Sequence, residues 1–291
     1  MSEMLLSFIK NKIPELSKSH KKIATFIVEH YDNAAFMTAY KIAQAVGVSE
    51  STVVRFASEL GYDGYPEFQK SLQDLVRKKL TGVQRIDIMS VETDGTELIE
   101  KTFKNDILSI EETFRELDIE AFRKSVDTIC KSEKIYFLGS RSASIIPNFL
   151  HYYLKLLFDN VILVDVSSDS EIYEFLFRTT ENDVCIITSF PRYSSNIVDA
   201  AKFAHDRGSK IVSITDSVDS PLVPFTDYLL IAKSAMASVV DSLTAAMSLS
   251  NCLISSIISE KRNEARERFE TLESFWDKYG IYKNPEETDN D

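Results

Sequence analysis

The chain has 291 residues, 44% of them hydrophobic and 27% charged, a composition typical of a globular protein with room for two cores. Its three cysteines, Cys130, Cys185 and Cys252, lie far apart in apolar or helical stretches. This pattern favours buried thiols in a reducing compartment and argues against a disulfide framework or a cysteine metal site. No charged-then-apolar leader opens the chain, so we expect a cytoplasmic protein.

The net charge of −12 is unevenly distributed along the chain. Residues 1–80 contain 11 Lys and Arg against 9 Asp and Glu, a net charge of +2. The remaining residues contain 22 against 36, a net charge of −14. A slightly basic first region attached to an acidic second region permits DNA binding by the first region but does not demonstrate it.

The first eighty residues have the periodicity of helices throughout. Ile23, Phe26, Ile27 and Tyr31 recur at helical spacing after a serine that can cap the helix. The helices predicted in the first half of the chain cover residues 17–31, 38–47, 49–61, 65–80, 96–116 and 118–130. The periodicity fades over residues 81–95, which we therefore assign to a linker.

From Lys134 onward, short apolar runs alternate with helical stretches. The runs predicted to be strands are residues 134–139, 160–165, 183–190, 210–216 and 227–232. Apolar runs of this length, separated by helices, indicate parallel strands buried on both faces of a doubly wound sheet. Two helices follow, at residues 236–259 and 260–278. Asp241, Asn251 and many serines interrupt the first, which makes it a core helix and not a membrane span.

The sequence thus predicts two domains and a short tail. An all-α head occupies residues 1–80, and an α/β domain with flanking helices occupies residues 96–280. The linker at residues 81–95 joins them. We expect the acidic residues 281–291 to form a frayed tail.

Residues 41–62, KIAQAVGVSESTVVRFASELGY, have the spacing of a helix-turn-helix. Such a motif needs a small residue where its helices touch, here Ala43, and a glycine four residues later in the turn, here Gly47. It also needs apolar residues that hold the second helix against the first. These are Ile42, Val46, Val48, Val53 and Phe56. A helical bundle with a serine-capped turn is the alternative interpretation.

The outer side of the second helix carries polar residues that can reach base edges and phosphates in a major groove. These candidate DNA contacts are Ser49, Glu50, Ser51, Thr52 and Arg55. Nearby basic residues could bind the DNA backbone. The candidates for that role are Lys22 and Lys41, together with Lys18, His20 and Lys21.

Residues 34–72 closely resemble the head of RpiR-type bacterial transcription regulators. That family shares VSxxTVVRF, an LG(Y/F)xG(Y/F) step and a following EF. This chain carries the three at Val48–Phe56, at Leu60–Tyr65, and at Glu67 with Phe68. The resemblance implies a head that binds double-stranded DNA and precedes a sugar-isomerase-like (SIS) domain.

The second half resembles a SIS domain from about Asp118 to Glu260. Its ITxSxxSPL signature lies at Ile214–Leu222. The resemblance implies a five-stranded parallel sheet in flavodoxin-like order, with phosphosugars bound at the carboxyl ends of the strands. Head and body together cover most of the chain.

In a sheet of that order, a crevice forms beside the first strand, between the loops that leave strands one and three. Those loops are GSRSAS, residues 139–144, and SFPRYSSN, residues 189–196. Helix N-termini, serine hydroxyls and guanidinium groups in them can bind an anion. The candidate ligand-binding residues are Ser140, Arg141, Ser142, Ser144, Ser189, Arg192, Tyr193, Ser194 and Ser195.

Both loops depart from the SIS pattern that they resemble. The family's third-strand loop resembles S-x-S-G-x-T, but here Pro191 and Arg192 replace the second serine and the glycine. In the first loop, Arg141 occupies the place of the second glycine. Charged side chains thus partly replace the close backbone contacts that glycines allow. Because the new side chains are arginines, we expect an anionic ligand. A phosphosugar is the first candidate for this ligand, and a carboxylate or another phosphorylated metabolite is the alternative.

A phosphosugar isomerase with an accessory helical domain is the competing function. Isomerisation needs an acid–base group with a tuned pKa. His151 and His205 lie mid-helix, where a structural role is favoured, and Glu171 fits a helix cap better than a base. The sequence shows no acid–base pair, nucleophile, metal-ligand cluster or Walker-type loop, so we expect a sensor that is not an enzyme and uses no cofactor.

The sequence therefore predicts a ligand-responsive transcription regulator. One head covers only a few base pairs, so we expect a homodimer or tetramer that binds an inverted-repeat operator. A binding module whose head contacts protein is the remaining alternative.

Overall fold

The structure is a computed structural model, which describes residues 2–77, 81–90, 95–234 and 240–282. Contacts divide the chain into two compact units: residues 1–103 with 236–241, and residues 104–235 with 242–291. Each unit has its own hydrophobic core, as the chain length predicts.

The first unit consists of helices. They are α1 (Ser2–Lys12), α2 (Lys18–Glu29), α3 (Tyr31–Ala34), α4 (Ala39–Val46), α5 (Glu50–Glu59), α6 (Tyr65–Arg77), α7 (Gly82–Ser90) and the first part of α8 (Gly95–Glu116). Ser17 and Thr38 cap α2 and α4, because their hydroxyls accept the amides of His20 (3.3 Å) and Lys41 (3.2 Å). The helix predicted at residues 17–31 is two helices, α2 and α3.

The predicted linker contains helix α7. Arg85 on α7 is 2% exposed, and its Nη1 donates to Asp241 Oδ2 at 2.9 Å. This distant partner is not visible in the local sequence pattern, which explains why the helix was not predicted. The assignment of residues 81–95 as the joint between the domains stays a prediction.

The apolar faces of α2, α4, α5 and α6 share one core. Ile23, Ile42, Val53, Phe56 and Phe68 are fully buried in it, while Val46 and Val48 pack against it half-buried. The rings of Phe56 and Phe68 meet edge to face, with centroids 5.8 Å apart. The apolar residues predicted to hold the helix-turn-helix together therefore do so.

The second unit contains a five-stranded sheet. Its strands are β1 (Ile135–Gly139), β2 (Val161–Leu163), β3 (Val184–Thr188), β4 (Lys210–Thr215) and β5 (Tyr228–Ile231). All four pairings are parallel, and the order is β2-β1-β3-β4-β5. The predicted doubly wound, flavodoxin-like fold is confirmed.

Helices cover both faces of this sheet. They are α9 (Ile119–Lys131), α10 (Ile145–Leu154), α11 (Asp169–Leu176), α12 (Ser195–Asp206), α13 (Thr244–Glu260) and α14 (Arg262–Tyr279). Successive strand residues point to opposite faces. Phe137 thus packs with α9, α10 and α13, whereas Tyr136 and Leu138 pack with α11 and α12. Covering both faces is what requires strands as apolar as β1 and β3.

The predicted start of α13 at residue 236 is wrong for the residues that the structure describes, since the helix begins at Thr244. Ser242 accepts the Thr244 amide at 3.3 Å on its Oγ and the Ser234 hydroxyl at 2.6 Å on its carbonyl oxygen. Serine competes for local hydrogen bonds in this way and favours helix starts over helix interiors. Residues 236–239 of the predicted helix, and residues 283–291 of the predicted tail, lie outside the described residues.

Candidate functional site

The turn between α4 and α5 has the geometry that its spacing predicts. Gly47 adopts the left-handed conformation, with φ 69° and ψ 48°. The Ala43 carbonyl accepts the amides of both Gly47 and Val48, the latter at 3.0 Å. No atom lies within 4 Å of a Cβ placed on Gly47, so backbone conformation and not space requires glycine here.

The amino-terminal end of α5 presents hydroxyl groups and a guanidinium group. Of the predicted DNA contacts, Thr52 is half-buried, and the exposed ones are Lys22, Lys41, Ser49, Glu50, Ser51 and Arg55. Ser49 Oγ lies 2.9 Å from Ser51 Oγ and 2.7 Å from Thr52 Oγ1. Arg55 Nε donates to the Ser51 carbonyl at 3.3 Å. These groups can bond base edges and phosphates, and their DNA contacts stay a prediction.

His20 does not fit its predicted role at the DNA backbone. Its Nδ1 is hydrogen-bonded to Glu59 Oε2, and its ring meets Phe56 edge to face at 5.6 Å. Only 13% of the side chain is exposed. His20 therefore connects α2 with α5, whereas Lys18 is exposed and Lys21 half-buried.

Two exposed residues on this surface were missed from the sequence. Val54 on α5 is 39% exposed, and Tyr40 on α4 is 54% exposed and accepts a hydrogen bond from Gln44 Nε2 at 2.7 Å. Val54 follows Ser51 by three residues, a spacing that places both on one side of a helix. This spacing is the sequence feature that could have identified Val54 as a candidate DNA contact. An apolar side chain on the exposed side of α5 can contact the methyl group of a thymine.

The carboxyl ends of β1 and β3 lie side by side, with Gly139 paired to Thr188. Thr188 Oγ1 donates to the Ala143 carbonyl at 3.0 Å, which ties the loop after β1 to the end of β3. A Cβ on Gly139 would clash with the Thr188 hydroxyl and lie 2.9 Å from Pro147 Cγ. Glycine is therefore required where the two loops leave the sheet, and the loops bound the crevice that the strand order predicts.

Each crevice loop holds one arginine in the left-handed conformation. Arg141 has φ 54° and Arg192 has φ 59°, and no other non-glycine residue has a positive φ in the described part of the chain. Both side chains are exposed. At the two positions where the SIS pattern has glycine, the arginines therefore adopt a backbone conformation that favours glycine. An L-residue adopts it at a cost of about 1 kcal/mol or more.

The serines of the first loop differ in exposure. Ser142 is exposed, and Ser140 and Ser144 are half-buried. Ser144 Oγ donates to the Arg141 carbonyl at 2.7 Å, and Asn148 Nδ2 donates to the Ser144 carbonyl at 2.7 Å. These bonds hold the turn that carries Arg141.

The serines after β3 also differ. Ser189 is 3% exposed, and its carbonyl accepts the Thr215 hydroxyl at 2.7 Å, so it belongs to the floor of the crevice. Ser194 precedes α12, and its hydroxyl bonds Asn196 Oδ1 instead of capping the helix. Ser195 is exposed at the first position of α12. The positive end of α12, uncapped by Ser194, can face an anion.

Polar residues after β4 complete the crevice and were missed from the sequence. Tyr193 donates its hydroxyl to the buried Asp216 Oδ1 at 2.7 Å, which joins the β3 loop to the end of β4. Ser217 Oγ is buried without a hydrogen-bond partner. Asp216 and Ser217 could have been identified from the sequence because they directly follow a buried strand. The other two crevice loops were selected by the same criterion.

The three titratable residues considered as acid–base groups for isomerisation make contacts that fit structural roles. Burial and Lys155 lower the pKa of His151, whose ring meets Phe137 edge to face at 5.9 Å. His205 is about half exposed beside Asp206 on α12. Glu171 accepts the Ser167 hydroxyl at 2.8 Å, and its amide donates to the helix-capping Ser168.

The cysteines are inert or surface thiols. Burial raises the pKa of Cys130 to about 11 and that of Cys185 to about 12, so both are protonated at neutral pH. Cys252 on α13 is exposed, contrary to the expectation of buried thiols.

A cavity of about 800 Å³ lies at the amino-terminal ends of the strands, where Ile135 begins β1 and Asn160 precedes β2. It is therefore separate from the crevice. Among the residues that the structure describes, no cluster of His, Cys, Asp and Glu is placed to hold a metal ion. Within the same ranges, no helix combines the length and apolarity that crossing a bilayer requires.

Known domain families match both parts of the chain. The helix-turn-helix domain of the rpiR family matches residues 3–79, and the SIS domain matches residues 128–256. The matches follow one another in the predicted order.

Two transcriptional regulators and one solved structure are similar to the chain over most of its length. An uncharacterized HTH-type transcriptional regulator of Clostridium perfringens is 27% identical over 270 residues, which are 91% of this chain and 95% of that protein. The HTH-type transcriptional regulator HexR of Pseudomonas aeruginosa is 27% identical over 75% of each chain. Vibrio vulnificus NanR, complexed with ManNAc-6P, has a TM-score of 0.58 at 20% identity over 96% of this chain and 100% of its own.

A helix-turn-helix domain followed by a SIS domain defines a two-domain transcription regulator. In this organisation the chain is similar to RpiR-type transcription regulators. Both relatives are named as transcriptional regulators, which supports a regulator and not the competing isomerase.

Proposed function

We propose that this regulator binds an operator through α5 and that an anion in the crevice of the SIS domain controls the binding. The observation that carries the proposal is the pair of left-handed arginines, Arg141 and Arg192, in facing loops. Strained backbone of this kind clusters at ligand sites. A guanidinium group can grip two phosphate oxygens at once, so a charged ligand explains why arginine replaces glycine.

The proposed effector is a phosphorylated metabolite, with a phosphosugar as the first candidate. The exposed Ser142 and Ser195 add hydroxyl donors, and the start of α12 adds its positive dipole end. NanR, which shares the fold, carries a phosphosugar. The full set of proposed ligand contacts is Ser140, Arg141, Ser142, Ser144, Ser189, Arg192, Tyr193, Ser194 and Ser195. A carboxylate is the second candidate.

The proposed DNA surface is the exposed side of α5 with its flanking lysines. Its members are Lys22, Lys41, Ser49, Glu50, Ser51, Thr52 and Arg55, and we add Tyr40 and Val54. A homo-oligomer presents two heads to an inverted repeat. The effector shifts operator binding only through unequal affinity for two arrangements of the protein. The proposed location is the cytoplasm.

Mobility shifts with DNA from upstream of the chain's own gene test this proposal. A panel of phosphorylated metabolites is first screened for thermal stabilisation, because a tight ligand raises the melting temperature by mass action. We expect operator affinity to fall steeply with salt and to change when the stabilising metabolite is added. Salt-independent retardation, or a stabilising metabolite that leaves retardation unchanged, would contradict the proposal.

A further inference from the structure

His20 joins the start of α2 to the last residue of α5, Glu59. Its Nδ1 is hydrogen-bonded to Glu59 Oε2, and its ring lies edge to face against the buried Phe56, with centroids 5.6 Å apart. The His20 side chain is 13% exposed, whereas that of Glu59 is 42% exposed. A mostly buried histidine therefore holds the carboxylate of a surface residue, on the helix that carries the proposed DNA contacts.

The end of α5 is fixed at the point where this carboxylate is held. The last turn of α5, residues 56–59, contains no lysine or arginine, so the negative end of the helix dipole is met by a cation from another helix. Lys12 on α1 supplies it, because its Nζ donates to the Glu59 carbonyl at 2.9 Å. Contacts with α1 and α2 thus determine where the Glu59 side chain lies.

Glu59 follows Arg55 by four residues on α5. Residues at this spacing lie on one side of a helix, where a carboxylate and a guanidinium can form an ion pair. In the part of the chain that the structure describes, Arg55 is in no ion pair, and its Nε donates to the Ser51 carbonyl at 3.3 Å. His20 therefore occupies a carboxylate that could otherwise pair with Arg55.

We propose that His20 is a positioning residue for operator binding, which keeps the Glu59 carboxylate away from Arg55 so that the guanidinium can contact DNA. The inference rests on the proposed function, in which Arg55 contacts the operator, and it adds a residue that does not touch DNA itself. Without His20, the freed carboxylate would pair with Arg55 and place a negative charge near the phosphates. Both effects weaken operator binding, and the loss of the Arg55 contact also reduces its salt dependence.

Mobility shifts of the full chain on DNA from upstream of its own gene, at several salt concentrations, test this role. His20→Phe keeps a ring against Phe56 but cannot bond Glu59, and we expect it to raise the dissociation constant roughly threefold to tenfold. His20→Asn loses the ring but keeps a nitrogen that can donate to Glu59, so it should bind within about twofold of the wild type. His30→Phe is the matched control and should leave binding unchanged, since His30 lies exposed at the other end of α2 with its ring beside Phe26.

A second substitution separates positioning from a merely structural role. Glu59→Gln removes the charge that His20 holds, so adding His20→Phe to it should change the dissociation constant by less than about twofold. Arg55→Ala should likewise cost little in the His20→Phe background, because the guanidinium is already withdrawn from the DNA. A histidine that only stabilised the fold would cost the same affinity in every background. Thermal unfolding of each variant verifies that it is folded in the binding assay.

A folded His20→Phe variant that binds like the wild type would overturn the role of His20. Equal losses with and without Glu59→Gln would overturn it as well. If the larger ring prevents folding, His20→Ala with and without Glu59→Gln gives the same comparison.

The outcome stays distinct from that of the proposed function. If Arg55→Ala leaves operator affinity unchanged in the otherwise wild-type chain, the proposed DNA contact of α5 is contradicted. If Arg55→Ala weakens binding and His20→Phe does not, the role of His20 alone is contradicted.

Discussion

The two units of this regulator form left-handed turns with opposite kinds of residue. Between α4 and α5 the position is held by Gly47, with φ 69°, whereas the crevice loops hold Arg141 and Arg192 at φ 54° and 59°. Glycine adopts this conformation without strain, and arginine does not. In the first unit, glycine allows the turn to form without strain. In the second unit, the turns are strained because their left-handed positions carry arginine side chains. The contrast separates a turn that shapes the protein from turns that we propose bind the anion.

The largest expected effect concerns the packing beneath the crevice. Gly139→Ala should lower the free energy of unfolding by about 2–3 kcal/mol, because the added methyl meets Thr188 and Pro147. Gly82→Ala is the matched control, since a Cβ there meets open space and the backbone is not left-handed. Urea unfolding of both variants checks the prediction. Equal stabilities would mean that the loops do not approach as closely as described.

Arg55→Ala tests the DNA side of the comparison. The loss of an exposed guanidinium on α5 should weaken operator binding by about 1–3 kcal/mol and reduce its salt dependence. Arg266→Ala on α14, which removes an exposed arginine from the second unit, should leave binding unchanged. Mobility shifts at several salt concentrations measure both, and equal losses would count against α5 as the DNA-contacting helix.

Gly47→Ala measures the cost of a side chain in a left-handed turn. Nothing crowds the added methyl, so the expected loss of about 1 kcal/mol in unfolding free energy is backbone strain alone. Gly47→Asn should lose less, because asparagine tolerates the conformation better. Thermal unfolding of the two variants provides the measurement. An alanine variant as stable as the wild type would remove the basis for calling the arginine turns strained.

The smallest expected effect is the acid sensitivity that His151 confers. Burial, then Lys155, lowers its pKa below the ordinary 6.5, so the unfolded state binds more protons between the two values. Stability should therefore be lost as pH falls below about 6.5. His151→Phe keeps a ring beside Phe137 and should show a shallower loss between pH 7 and 5. Identical pH profiles in urea unfolding would contradict a structural role set by burial.

Local patterns predicted the helix-turn-helix and the parallel strands, because both follow from periodicity and turn chemistry, whereas the strand order was implied by the SIS resemblance. Gly47 and the buried Phe56 illustrate this, since each role depends on neighbours within a few residues. Features that depend on distant partners were not predicted. Helix α7 holds Arg85 against Asp241, and at the start of α13 the hydroxyls of Ser242 and Thr244 donate to the distant Asp106.

The candidate site was predictable in its position but not in its geometry. The strand ends identified the two loops, and the SIS resemblance showed that Arg141 and Arg192 replace glycines. That both arginines adopt a backbone conformation that favours glycine could not be read from the sequence, because arginine alone predicts ordinary φ values. The bond between Tyr193 and Asp216 likewise joins residues from two different strand ends.

Calorimetry with the stabilising phosphosugar on Arg192→Gly tests the central claim most directly. Glycine adopts φ 59° without strain, so this change removes the guanidinium while the loop can keep its conformation. The account predicts that the dissociation constant rises about tenfold or more, while the free energy of unfolding without ligand stays the same or increases slightly. Undiminished affinity in that variant would contradict the claim that the left-handed arginine is kept for the anion.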